Sequence, residues 1–107
     1  MSTSCPKVGE QVNSETGVTL IGFLRCDTPE QAARVRSALP EHVRLTRAEP
    51  NCVSFDVTAT DDPLVWKVAE QFVDADAFKA HQARAAASPW AKQSEGIARD
   101  YTITGLE

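Results

Sequence analysis

The stretch Cys52–Val73 limits the possible folds more than any other part of the chain. Cys52–Thr60 (CVSFDVTAT) alternates, with Val53, Phe55, Val57 and Ala59 on one side and Ser54, Asp56 and Thr58 on the other. Leu64–Val73 (LVWKVAEQFV) alternates too, so that Leu64, Trp66, Val68, Glu70 and Phe72 share a side. Successive side chains of an extended strand point to opposite faces, so each run reads as a strand with one face on a core. Asp61-Asp62-Pro63 between them is a turn signal, and the two strands are expected to pair as an antiparallel hairpin. Glu70 stands among four large apolar residues. A carboxylate buried alone costs several kcal/mol, so Glu70 needs a partner or contact with solvent.

The remaining elements assemble around that hairpin. Val18–Cys26 (VTLIGFLRC) is a nearly continuous apolar run bounded by Gly17 and Asp27-Thr28-Pro29, and it reads as a first strand with both faces at least partly covered. Thr28-Pro29-Glu30-Gln31 announces a helix, with Thr28 as N-cap, Pro29 in the first turn and Gln31 closing a capping box. Its apolar stripe is read as Ala32, Val35, Leu39 and Val43, which leaves His42, beside Glu41 and Arg44, facing solvent. Pro40 has no amide hydrogen, so the helix is expected to kink there or to end and restart. Pro50-Asn51 stops the segment. Asp74 can cap a second helix that runs through His81 to about Ala87, with Val73 and Phe78 as a hydrophobic staple. Ser88-Pro89-Trp90 suggests a further helical turn ending near Gly96. Ile97–Gly105 supplies a last strand with Ile97, Arg99, Tyr101 and Ile103 on one face.

The order β, α, β, β, α, β is that of the split βαβ, or ferredoxin-like, α+β fold: an antiparallel sheet with helices on one face. The other face is left uncovered, and a second copy of the chain is the simplest cover, so a homodimer is expected. At 107 residues, 42% of them apolar, the chain suits one globular domain. That domain is taken as 18–107, preceded by a polar tail over 1–17. With 15 acidic against 11 basic residues, the chain has no electrostatic footprint for nucleic acid. No run approaches the ~20 apolar residues of a membrane helix, and no signal peptide is recognised before Val18. Cys5, Cys26 and Cys52 form no CxxC pair, and no metal-ligand spacing, glycine-rich phosphate loop or Ser–His–Asp signature is present. A reducing cytoplasm is the expected location.

Three short motifs follow one another: Glu49-Pro50-x-Cys52-x-x-Phe55, then Glu70-x-Phe72, then Phe78-x-x-His81. Together they resemble the antibiotic biosynthesis monooxygenase (ABM) domain over roughly Val18–Leu106. The resemblance implies a dimeric α/β barrel of ferredoxin-like subunits. It also implies oxidation of quinols or polyketide aromatics by O₂, usually without flavin, haem or metal. Phe72 stands where many members carry Trp, and Asn51 where many carry Gly. The haem-degrading relatives follow a different pattern, with Asn in the first strand, which this chain lacks.

Against that background His81 is the leading candidate for catalysis. An imidazole that titrates near neutrality can accept a phenolic proton, the activation a cofactor-free oxygenase requires. Alternatively His81 is a structural histidine bonded to a carbonyl or carboxylate at the helix–sheet boundary. Glu70 either orients His81 or pairs with Arg99 across the sheet or the dimer interface. Trp66, Phe72 and Trp90 could wall a planar substrate, and Arg99 or Tyr101 could steady a phenolate; core or interface packing accounts for each equally well. Two functions follow: a cofactor-independent monooxygenase acting on a quinol or other activated phenol, or a non-catalytic dimeric module that binds a small ligand or regulates. A cavity with His81 pointing into it separates the first from the second.

Overall fold

A computed structural model describes residues 17–106, so the expected tail lies outside the described residues except for Gly17. The elements are β1 (Val18–Arg25), α1 (Pro29–Arg47), β2 (Cys52–Ala59), β3 (Val65–Phe72), α2 (Ala75–Ala86), α3 (Pro89–Gln93) and β4 (Ala98–Thr104). The strands form one sheet in the order β2-β3-β1-β4, and every neighbouring pair is antiparallel. This is the ferredoxin-like arrangement.

Alternation in β1 sends Val18, Leu20, Leu24 and Cys26 under the helices, where they meet Trp66, Val68 and Phe72 of β3 and Phe78 of α2. The opposite face stays open, with Ile21 46% and Val53 44% exposed. Gly22 marks a close approach between strands. A Cβ there would collide with the Asp100 carbonyl and lie 2.9 Å from the Tyr101 ring, so the missing side chain is what lets Tyr101 lie against β1.

The hairpin forms as expected, with one correction of face. The pairing shifts register between Cys52 and Ser54, and this bulge turns Val53 to the open face while Cys52 packs against the core opposite Phe72. Strict alternation therefore holds only from Phe55 onward.

Thr28 caps α1 by accepting a hydrogen bond from the Gln31 amide at 3.1 Å. The Gln31 side chain reaches back one residue further than a capping box requires, to the Asp27 amide at 2.6 Å. The helix runs unbroken through Pro40. Arg36, whose carbonyl loses its partner, and Pro40 are both exposed, so water can satisfy the gap. The buried stripe is Ala32, Val35, His42 and Thr46, with Leu39 partly buried, and its spacing alternates three and four residues. His42 is thus only 6% exposed, which corrects its placement toward solvent. In α2, the Asp74 side chain accepts from the Ala77 amide at 2.8 Å, and Ala77, Phe78 and His81 face inward.

Candidate active site

A cavity of about 280 Å³ lies between the covered face of the sheet and the three helices. Each helix, β3 and β4 contribute to its polar or aromatic wall: His42 from α1, Glu70 from β3, His81 from α2, Trp90 from α3, and Arg99 and Tyr101 from β4. Five of the residues singled out from the sequence thus come together. The other two do not line it. Trp66 is a core residue registered between Leu24 and Ala59. Phe72 is also core and carries the His81 ring at a centroid distance of 5.0 Å.

His81 is held by a group the sequence reading had not assigned to it. Its Nδ1 lies 3.2 Å from Oε2 of Glu49, just beyond the end of α1. The same oxygen accepts from Nε of Arg84 at 2.5 Å, and Arg84 Nη2 donates to Thr46 Oγ1 at 2.9 Å. The Thr46 hydroxyl in turn donates to the His42 carbonyl at 2.8 Å. A carboxylate only accepts, so the hydrogen of this contact sits on Nδ1 and leaves the Nε2 lone pair free. Nε2 makes no hydrogen bond among the described residues and is not sealed in the interior, in a side chain that lines the cavity. Burial pulls the His81 pKa below its ordinary value and Glu49 partly opposes this, so the ring is neutral at neutral pH.

The opposite wall holds groups whose charge is suppressed. Glu70 is 8% exposed, and its carboxyl has no hydrogen-bond partner among the described residues. Burial first, and the charge of Glu49 second, push it up to about 7. Within one chain, and among the described residues, Glu70 bonds to neither His81 nor Arg99. Arg99 instead donates to the carbonyl of Ile97 at 3.0 Å and to Ser94 Oγ at 2.8 Å. Burial pushes the Tyr101 hydroxyl up to about 12, although Arg99 works against it.

His42 stacks on Trp90, with centroids 4.6 Å apart and planes 8° from parallel, and its ring is 5.9 Å from that of His81. Burial, followed by the proximity of His81, lowers it to about 4, so it is neutral under ordinary conditions. Its Nδ1 is buried without a partner among the described residues. The arrangement offers a base (His81 on Glu49), a carboxyl that can hold its proton near neutrality (Glu70), a phenolic hydroxyl and a flat indole wall. Among the described residues no group of three His, Cys, Asp or Glu side chains is placed to hold a metal.

Glu49, Arg84 and His42 were the functional neighbours that sequence reasoning passed over. Arg84 follows His81 by three residues on one helix, which puts both on one side of it. His42 follows Val35 by seven, the spacing of a buried stripe.

The fold and the cavity together define a ferredoxin-like domain with an acid–base pocket between sheet and helices. The sequence profile described as antibiotic biosynthesis monooxygenase matches residues 18–93, and the chain belongs to that family. Among solved structures it is similar to SnoaB, a cofactor-independent oxygenase from Streptomyces nogalater, at a TM-score of 0.68 and 16% identity, covering 82% of this chain and 90% of that one. A conserved protein of unknown function from Bacteroides thetaiotaomicron matches at 0.68 and 15% identity, over 84% of this chain and 97% of its own. PA3566 from Pseudomonas aeruginosa matches at 0.62 and 25% identity, over 82% and 89%. These likenesses concern the fold. No curated protein matches the chain.

Proposed function

We propose that this chain is a cofactor-independent monooxygenase that oxidises a quinol or other activated phenol with O₂. The observation that carries this reading is that His81, held through Nδ1 by Glu49 and with no hydrogen bond to Nε2 among the described residues, lines one cavity with Trp90 and Tyr101. His81 takes a phenolic proton from the bound ring. The resulting phenolate is electron-rich enough to react with O₂, and one oxygen atom enters the ring while the other leaves as water. For a 1,4-dihydroxynaphthalene the balance is one quinol and one O₂ giving one hydroxynaphthoquinone and one water, with the electrons drawn from the substrate. Glu70 presents a protonated carboxyl to the same space, and Tyr101 and Arg99 face the developing oxyanion.

The working form in this reading is a homodimer in which the open sheet face, with Ile21 and Val53, is covered by a second copy. A cytoplasmic setting accords with Cys26 and Cys52 both being free thiols. No described helix is long and apolar enough to cross a membrane.

The test is oxygen uptake with a panel of anaerobically reduced naphthoquinones and benzoquinones. Uptake above autoxidation is expected for the protein, with a loss of about 10²-fold or more in His81→Ala, the contribution of a positioned general base. Absence of enhancement across the panel would favour the ligand-binding module instead.

A further inference from the structure

We propose that Arg99 is an anion clamp, and that the ring bound in the cavity carries a carboxylate. This deepens the reading of the cavity as a site for an aromatic substrate, and rests on it. Arg99 is the only permanent cation among the side chains lining the cavity, and Glu70 the only carboxyl. Among the described residues Arg99 has no carboxylate partner. Its sequence neighbour Asp100 points to the opposite face of the sheet and bonds to Arg25 at 3.4 Å.

The guanidinium is nevertheless positioned, not loose. Nη1 donates to the Ile97 carbonyl at 3.0 Å, and Nη2 to the hydroxyl of Ser94, which is itself fully buried and donates to the Trp90 carbonyl at 2.7 Å. Nη1 also reaches the Ser94 carbonyl at 3.5 Å, so the end of α3 aims Arg99 while leaving Nε and one Nη2 N–H uncommitted. Its charge is felt across the cavity, where it lowers both His42 and Tyr101 against the effect of burial on the tyrosine. Below about pH 6 Glu70 does not cancel it, because burial raises that carboxyl to about 7 and keeps it largely protonated there. The other carboxylate nearby, Glu49, is already engaged by Arg84. The cavity thus sets one cation with no carboxylate partner among the described residues beside the aromatic side chains of Trp90 and Tyr101. A planar ring bearing a carboxylate satisfies both, since guanidinium and carboxylate match in geometry as well as charge.

The experiment compares 2-naphthoate with 2-naphthamide, which share shape and differ in charge, by calorimetric titration of the full chain at pH 6, where Glu70 is largely neutral and naphthoate is ionised. Neither probe needs oxygen or turnover. Naphthoate is expected to bind about tenfold more tightly than naphthamide, the effect of one charge-assisted hydrogen bond open to solvent. In Arg99→Gln that preference is expected to vanish, naphthoate losing about tenfold more affinity than naphthamide, and in Arg99→Lys to persist in part. Equal affinities in the wild type, or a preference that survives Arg99→Gln, would overturn the clamp. Quinol-dependent oxygen uptake without a charge preference would overturn the clamp alone, whereas failure of both probes to bind would remove the aromatic site as well.

Discussion

Replacement of Glu70 by Gln turns the unusual setting of that carboxyl into a measurable change in stability. The carboxyl titrates at about 7 in the folded chain, against 4.5 for an ordinary Glu. The folded state therefore keeps a proton that the unfolded state has already released between those values. The associated stability is fully present below pH 4.5 and is lost as pH rises through 7. At about 1.4 kcal/mol per pH unit, the loss is roughly 3 kcal/mol, and it levels off near pH 8. Gln has nearly the size and hydrogen-bonding character of the protonated acid but does not titrate. Glu70→Gln should therefore gain roughly 3 kcal/mol on the wild type between pH 4.5 and pH 8. His42 runs the other way. Its folded value of about 4 lies below 6.5, so it costs stability as pH falls through that window, equally in both chains. Urea melts of both proteins at intervals from pH 4.5 to 8.5 measure the difference directly. A difference that does not change with pH would refute the claim that Glu70 is desolvated and unpaired.

Three further outcomes follow from contacts elsewhere. Gly22→Ala should destabilise the fold by about 2 kcal/mol or more, because the added methyl meets backbone of β4 and the Tyr101 ring; an unchanged thermal midpoint would contradict that close approach. Glu49→Gln should lower quinol-dependent oxygen uptake by about tenfold or more while leaving the circular dichroism spectrum intact, since it loosens the His81 tautomer without emptying the core. Sedimentation at micromolar concentration should give about twice the 11.6 kDa mass of the chain, and a purely monomeric species would remove the covered sheet face from the account.

What could be read in advance follows from which forces act locally. The strands and helices carry their period and caps in adjacent residues, so the β, α, β, β, α, β order and the capping roles of Thr28 and Asp74 were readable. The Val53 bulge was not, because an extra residue in one strand is decided by cross-strand pairing with Phe72 and Gln71. His42 was misplaced because its immediate neighbours Glu41 and Arg44 are polar, whereas burial along α1 follows the three- and four-residue steps from Val35 to Thr46. His81 and Glu70 were found through type and motif. The partner of His81 was not, since Glu49 and His81 are 32 residues apart and only the folding of α2 beside the end of α1 joins them.

The central claim is that His81, backed by Glu49, takes the proton of a phenol bound in the cavity. It is tested most directly by the visible spectrum of 4-nitrophenol, a phenol acidic enough to match a buried imidazole, titrated anaerobically into the protein at pH 6, where the free phenol is largely neutral. A phenolate band is expected on binding to the wild type and a neutral-phenol spectrum on binding to His81→Ala. A bound phenol that stays neutral in the wild type, or ionises equally in both proteins, would contradict it.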